Sequence, residues 1–179
     1  MEGYTASYNG YNVTNTHTPE QTSVTVTKAW NDANNQDGFR PNDITVKLLA
    51  NGADTGKTLV LSSGNSWTGS FTELDVYEGG VKIRYTVEEI TDDKYETSIS
   101  GDAATGYIIT NTHAPETVEV SGTKTWIDND NQDGFRPQSI TINLLANGEV
   151  VDTIEVTAED EWSWTLTDLP KYEDGQVIT

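Results

Sequence analysis

Three side chains in this sequence carry reactive groups where a core would be expected to hold hydrocarbon. In "SVTVTKAW" (23–30), Val24, Val26, Lys28 and Trp30 alternate with Thr25, Thr27 and Ala29. A period of two puts the first set on one strand face, and that face is otherwise apolar. In "KIRYTVEEI" (82–90), Ile83, Tyr85, Val87 and Glu89 share a face, while Arg84, Thr86 and Glu88 take the other. In "GYIITNTH" (106–113), Tyr107, Ile109 and Asn111 fall together. An amine, a carboxyl group and a carboxamide are thus all predicted to point inward, each near one end of its strand. A lone lysine so placed escapes by snorkelling its head into water. Buried without company, it costs several kcal/mol. Beside a carboxylate it can instead trade a proton, because loss of water lowers a lysine pKa and raises a carboxyl pKa.

Positioning these groups takes strands. The alternation predicts strands at 22–30, 43–50, 57–61, 66–73, 82–90, 94–99 and 106–112. Asn51-Gly52 is a hairpin-type turn signal, and Gly79-Gly80 and Gly101-Asp102 punctuate later turns. No segment shows a helical period. This many short strands in about 96 residues indicates an all-β fold, an antiparallel β-sandwich.

The pattern repeats. "TKAWNDANNQDGFRP" (27–41) returns as "TKTWIDNDNQDGFRP" (123–137), "ITVKLLANG" (44–52) as "ITINLLANG" (140–148), and "YNVTNTH" (11–17) as "YIITNTH" (107–113). The period is the size of one small sandwich. Three segments are therefore predicted. Residues 1–19 are the closing strands of a preceding repeat, 20–115 a complete repeat, and 116–179 the first part of a following one. That last segment lacks the strands matching Tyr85–Glu89 and beyond. "THTPEQT" (16–22) and "THAPETV" (112–118) read as short, semi-rigid linkers.

Composition excludes several function classes. The net charge of −19 leaves no basic stripe for nucleic acid or an anionic membrane. With no cysteine there is neither a disulfide nor a thiolate metal site. No apolar run is long enough to span a bilayer, and Met1 opens no signal peptide, so an exported parent would carry this chain as an internal excerpt. Ser-His-Asp, HExxH and phosphate-loop patterns are absent.

Taken together, the lysine in "VTVTKAW", the "DGFRP" turn, the "YTVEE" strand and the closing "TNTH" strand resemble the collagen-adhesin B-type (Cna-B-like) repeat of Gram-positive surface proteins and pilins. The resemblance covers 20–115 and, in pieces, most of the rest. It implies tandem β-sandwich units of inverse Ig-like topology. It also implies an autocatalytic isopeptide bond between the first-strand lysine and the last-strand asparagine, promoted by a middle-strand glutamate. By position these are Lys28, Asn111 and Glu89. The implied chemistry is sound. A neutral amine is a nucleophile, and a protonated Glu89 can hydrogen-bond the Asn111 carbonyl oxygen and pass a proton to departing ammonia. The fold supplies the effective molarity. A non-covalent Lys–Glu–Asn cluster is the alternative. The reaction runs once per molecule, so the protein is not expected to be an enzyme.

Lys124 repeats Lys28, and Asn15 repeats Asn111. They form a possible second, split site without a glutamate strand, and little bonding is expected there. Between two copies, the tail of one chain could complement the unfinished repeat of another.

The loops "NDANNQDG" (31–38) and "DNDNQDG" (128–134) have a calcium-loop flavour, but their glycine falls one place late and Ser139 stands at position twelve counted from Asp128. The plainer reading is an Asx-rich turn. No metal and no cofactor are expected. His17 and His113 are expected in solvent at strand ends, and Trp30, Trp67, Trp126 and Trp162 in cores or capping them. The functional expectation is a structural spacer, extracellular and attached to a cell wall in its parent, with neighbouring repeats as partners. An adhesin module that contacts a host glycan or matrix protein directly is the other reading.

Overall fold

The computed structural model describes residues 3–90 and 93–179. They divide into two compact units, Met1–Asn31 with Pro41–Thr112, and Asp32–Arg40 with His113–Thr179. The units thus do not follow chain order, because one loop of the first repeat groups with the second unit.

In the first unit, β1 (Thr5–Asn9) and β2 (Asn12–Thr16) form an antiparallel hairpin whose residues are all exposed. The sandwich follows: β3 (Gln21–Asn31), β4 (Asp43–Ala50), β5 (Ala53–Ser62), β6 (Thr68–Asp75), β7 (Tyr77–Glu78), β8 (Val81–Lys82), β9 (Tyr85–Glu89), β10 (Glu96–Asp102) and β11 (Gly106–Thr112). One sheet has the order β10-β11-β3-β6 and the other β5-β4-β9. The pairings are antiparallel except one, since β11 lies parallel to β3. The first and last strands of the repeat are therefore neighbours running the same way.

The alternation read from sequence sets the faces. Val24, Val26 and Lys28 of β3 are buried, as are Ile44, Val46 and Leu48 of β4. They meet Leu61, Phe71, Val87 and Ile109 in one core. Each such aliphatic side chain stabilises the fold by about 2 kcal/mol through lost contact with water. Trp30 and Trp67 pack against this core edge to face, 5.2 Å apart.

Five of the seven strands differ from the sequence reading in extent: that at 22–30 runs Gln21–Asn31, that at 94–99 runs Glu96–Asp102, and the other three have a local cause. The strand predicted at 57–61 begins at Ala53, because Asn51 and Gly52 both take positive φ (52° and 85°) and close a tight hairpin. The strand predicted at 66–73 starts at Thr68, since Ser66 and Trp67 are left-handed. The strand predicted at 82–90 is interrupted. Val81–Lys82 pairs with β7, Ile83 N–H donates to Val76 O, and only Tyr85–Glu89 joins β4.

The second unit holds β12 (Thr117–Thr123), β13 (Ser139–Ala146), β14 (Glu149–Thr157), β15 (Ser163–Pro170), β16 (Tyr172–Glu173) and β17 (Gln176–Val177). They pair as β12-β15, β13-β14 and β16-β17. Among its described residues there is no counterpart of β9, β10 or β11, and the faces they would cover are wet. Val120 is 41% exposed, whereas its counterpart Val24 is 0% exposed.

Candidate functional site

The first unit brings Lys28, Glu89 and Asn111 together inside the sandwich, with residue exposures of 4%, 5% and 2%. Lys28 and Asn111 come from the neighbouring strands β3 and β11. In their parallel register Ile109 sits across from Lys28 and Asn111 across from Trp30, so both polar groups occupy adjacent rungs of one sheet face. Glu89 is the last residue of β9, paired with Val46 of β4 in the facing sheet. Its carboxylate spans the two partners. Lys28 Nζ donates to Oε2 at 3.1 Å, and Asn111 Nδ2 donates to Oε1 at 2.9 Å.

Thr97 is a fourth member that sequence reasoning missed. It lies on β10 directly across from Asn111, and its hydroxyl donates to Asn111 Oδ1 at 2.8 Å. The available signal was the 106–112 strand pairing back over its Gly101–Gly106 turn, which fixes the residue facing Asn111. The structure also revises one expected contact. The Asn111 carbonyl oxygen is held by Thr97, while Glu89 takes the amide nitrogen.

The surroundings of the Lys28 and Glu89 side chains are buried and aromatic. The Lys28 ammonium lies 4.5 Å from the centre of the Trp30 ring, which itself packs edge to face on Tyr95 at 5.1 Å. Burial pushes the Lys28 pKa down from its usual 10.5, with attraction to the Glu89 carboxylate and the hydrogen bond to it opposing the shift. On the outer side, Glu89 and Asn111 border an open recess of about 600 Å³ with Ile44 and Tyr95.

The other predicted pair is placed differently. Lys124 is exposed, with its ammonium 4.7 Å from the Trp126 ring centre, and Asn15 is exposed on β2. They belong to different units.

The first carboxylate of each Asp/Asn-rich loop is spent within the loop. Arg40 clasps Asp32 through Nε to Oδ2 (3.0 Å) and Nη2 to Oδ1 (2.6 Å), and Asn35 N–H also donates to Asp32. Asp128 and Arg136 repeat the arrangement, and the Arg136 hydrogen bond holds the Asp128 carboxyl below its usual range. Among the described residues no cluster of three or more His, Asp or Glu is arranged to hold a metal ion. The expectation that His113 lies in solvent is corrected. Its Nε2 is 2.8 Å from Asp37 Oδ2, which also accepts Glu116 N–H at 2.7 Å, and the His113 side chain is only 12% exposed.

Comparison with known proteins agrees with this architecture. The family model described as the Cna protein B-type domain matches residues 24–112 and 120–179. The chain is 48% identical over 179 residues to a collagen adhesin of Staphylococcus aureus, covering 99% of this chain and 15% of that protein. Its structure is similar to the crystal structure of two B repeat units (B1B2) of the collagen-binding protein of Staphylococcus aureus. There the TM-score is 0.76 and the identity 47%, over 100% of this chain and 48% of that one. A single B repeat unit (B1) of the same protein matches at TM-score 0.49 and 39% identity, over 89% of this chain and 82% of that one.

Proposed function

The chain belongs to the Cna protein B-type domain family, and from that premise we propose that its complete repeat is a load-bearing spacer locked by an isopeptide bond between Lys28 and Asn111. The observation that carries the proposal is the buried contact of Lys28, Glu89 and Asn111 between the first and last strands.

The geometry supports a stepwise route. Lys28 Nζ gives a proton to Glu89 Oε2 along their 3.1 Å hydrogen bond, leaving a neutral amine and a neutral acid. Low polarity around the pair favours this exchange, since neither charge is solvated by water. The amine attacks Asn111 Cγ, and negative charge develops on Oδ1, where the Thr97 hydroxyl already donates. Glu89, next to the amide nitrogen through Oε1, returns the proton to that nitrogen. The C–N bond to the old amide nitrogen breaks and ammonia leaves, with the recess bordered by Glu89 and Asn111 as its way out. The new amide sheds the second lysine proton to the Glu89 carboxylate, which passes it to the departing ammonia, so one alkylammonium and one carboxamide become one secondary amide and one ammonium, with Glu89 restored. The event happens once and does not turn over.

The strand order explains the mechanical value. Because β3 and β11 are parallel neighbours, tension applied through residue 20 and residue 113 shears them past each other. A covalent tie from residue 28 to residue 111 carries that load directly and leaves the strands between them slack. The acidic surface, with −19 net charge, suits a spacer that repels other surfaces. In a longer parent such a spacer stands between a cell wall and a binding region, outside the cell, with further repeats as neighbours. Intact mass tests the proposal. The chain should be lighter than its sequence by one ammonia, and a mass equal to the sequence rules the bond out.

A further inference from the structure

The reactive cluster of the first unit has an inner and an outer side. Lys28 enters from within the sandwich, where its side chain is 0% exposed and that of Glu89 1%. On the outer side the recess of about 600 Å³ is lined by Glu89 and Asn111, and Lys28 is not on its wall. The carboxylate that moves protons and the carboxamide that is attacked therefore border open space, while the amine does not. The recess has the volume of a small-molecule site. Ile44 and Tyr95 give its wall apolar surface, and Asp43 and Asp93 add carboxylates that attract a cation.

The bond-forming groups do not need the amine to belong to the chain. Glu89 Oε1 accepts from Asn111 Nδ2 at 2.9 Å, and the Thr97 hydroxyl donates to Asn111 Oδ1 at 2.8 Å. Neither contact passes through Lys28. The main chain at position 28 is held separately, since its N–H donates to Trp67 O at 2.8 Å. What the lysine arm adds is a tether, worth an effective molarity on the order of 10⁵ M. Lys28→Ala removes Cγ, Cδ, Cε and Nζ, which are the heavy atoms of n-propylamine. The space they vacate ends 3.1 Å from Glu89 Oε2 and 4.5 Å from the centre of the Trp30 ring.

We propose that Glu89, Asn111 and Thr97 form a transamidation centre that the recess opens to free amines, so that a small unbranched alkylammonium ion is joined to Asn111 when the Lys28 arm is missing. This rests on the bond-forming reading of Glu89 and Asn111, in which the recess lets ammonia out. An exit for ammonia is an entrance for an amine. Propylammonium gives one proton to the Glu89 carboxylate, and the neutral amine adds to Asn111 Cγ. Negative charge on Oδ1 meets the Thr97 hydroxyl. The bond from Cγ to Nδ2 breaks as Glu89 returns its proton to that nitrogen, and ammonia departs. The second amine proton follows through Glu89 to the ammonia. One propylammonium and one carboxamide become one N-propyl carboxamide and one ammonium, with Glu89 restored.

Intact mass and peptide mapping of the full-length Lys28→Ala chain test this. The folded variant is held for days in about 1 M n-propylamine, because without the tether uptake should run on the order of 10⁵-fold slower than the Lys28 bond forms. Its mass should rise by one propylamine less one ammonia, and the propyl group should map to Asn111. Lys28→Ala combined with Glu89→Gln should take up propylamine about 100-fold more slowly. Lys28→Val with ethylamine repeats the measurement with a side chain that suits a strand, in case Lys28→Ala does not fold. A melting transition identifies the folded variant. An unmodified Asn111 in the folded variant overturns the proposal, and so does uptake that Glu89→Gln does not slow. The mass of the wild type alone reports the Lys28–Asn111 bond. A bonded wild type beside an unreactive variant therefore leaves that bond standing and removes the amine entrance.

Discussion

Combining Lys28→Met with Glu89→Gln removes both buried charges while keeping the side-chain volumes close to the original. The carboxamide introduced by Glu89→Gln can still accept from Asn111 Nδ2, which lies 2.9 Å from Glu89 Oε1. Exchanging a buried ion pair for matched neutral groups is neutral, or stabilising by about 1–4 kcal/mol. If the wild type carried only a non-covalent cluster, the double variant would therefore melt at the same temperature or higher. A covalent tie reverses the sign. It closes a loop of about 84 residues, and the chain-entropy relation used for disulfides gives about 4.6 kcal/mol for that length. For a domain of this size that corresponds to a fall of about 20 °C in melting temperature. Calorimetry reads the shift, and intact mass should show the double variant without ammonia loss. A double variant that melts within a few degrees of the wild type, or above it, refutes the covalent reading.

Other outcomes follow from the same contacts. Thr97→Val removes the donor to Asn111 Oδ1 and should slow bond formation about 100-fold in freshly synthesised, still unbonded chain as it folds, followed by mass over time, with the final fold unchanged. In Asn111→Ala the amine stays free. Since burial lowers the Lys28 pKa below 10.5, the unfolded chain holds the extra proton between the folded and unfolded pKa values. Stability of this variant should therefore rise as pH climbs through that window toward 10.5, measured by urea midpoint against the wild type, whose proposed amide would not titrate. Gly101→Ala puts a Cβ 2.1 Å from Gly106 O at a φ of 89°, and should cost about 2 kcal/mol by thermal melting. Asp37→Ala strips the acceptor shared by His113 and the Glu116 N–H. It should speed amide exchange at Glu116 by about tenfold or more, for a loss of about 1–3 kcal/mol.

Period-two alternation carries far in this protein, and the reason is burial on one face. Lys28, Glu89 and Asn111 were legible because each interrupts an apolar face that the sandwich buries. Thr97 was not, since its importance comes from lying across from Asn111, and that depends on hairpin register rather than on its own strand's pattern. The strand ends at Ala53 and Thr68 were set by left-handed residues outside the alternating runs. The interruption at Ile83 arises from a hydrogen bond to Val76 that local pattern does not encode. His113 was misplaced for a related reason. Its partner Asp37 is far away in sequence, and nothing near a "TNTH" strand end announces a buried acceptor.

The side-by-side arrangement of β3 and β11 also ties chemistry to the order of assembly. Two strands that open and close a repeat, separated by about 80 residues, are among the slowest contacts a small domain makes. The carboxylate that bridges them comes from the opposite sheet, so the three groups meet only after both sheets have packed. A partly assembled chain has its amine in water, protonated and inert. The bond would then act as a seal set only on molecules that have reached their final form, and ammonia release would mark the last step of maturation.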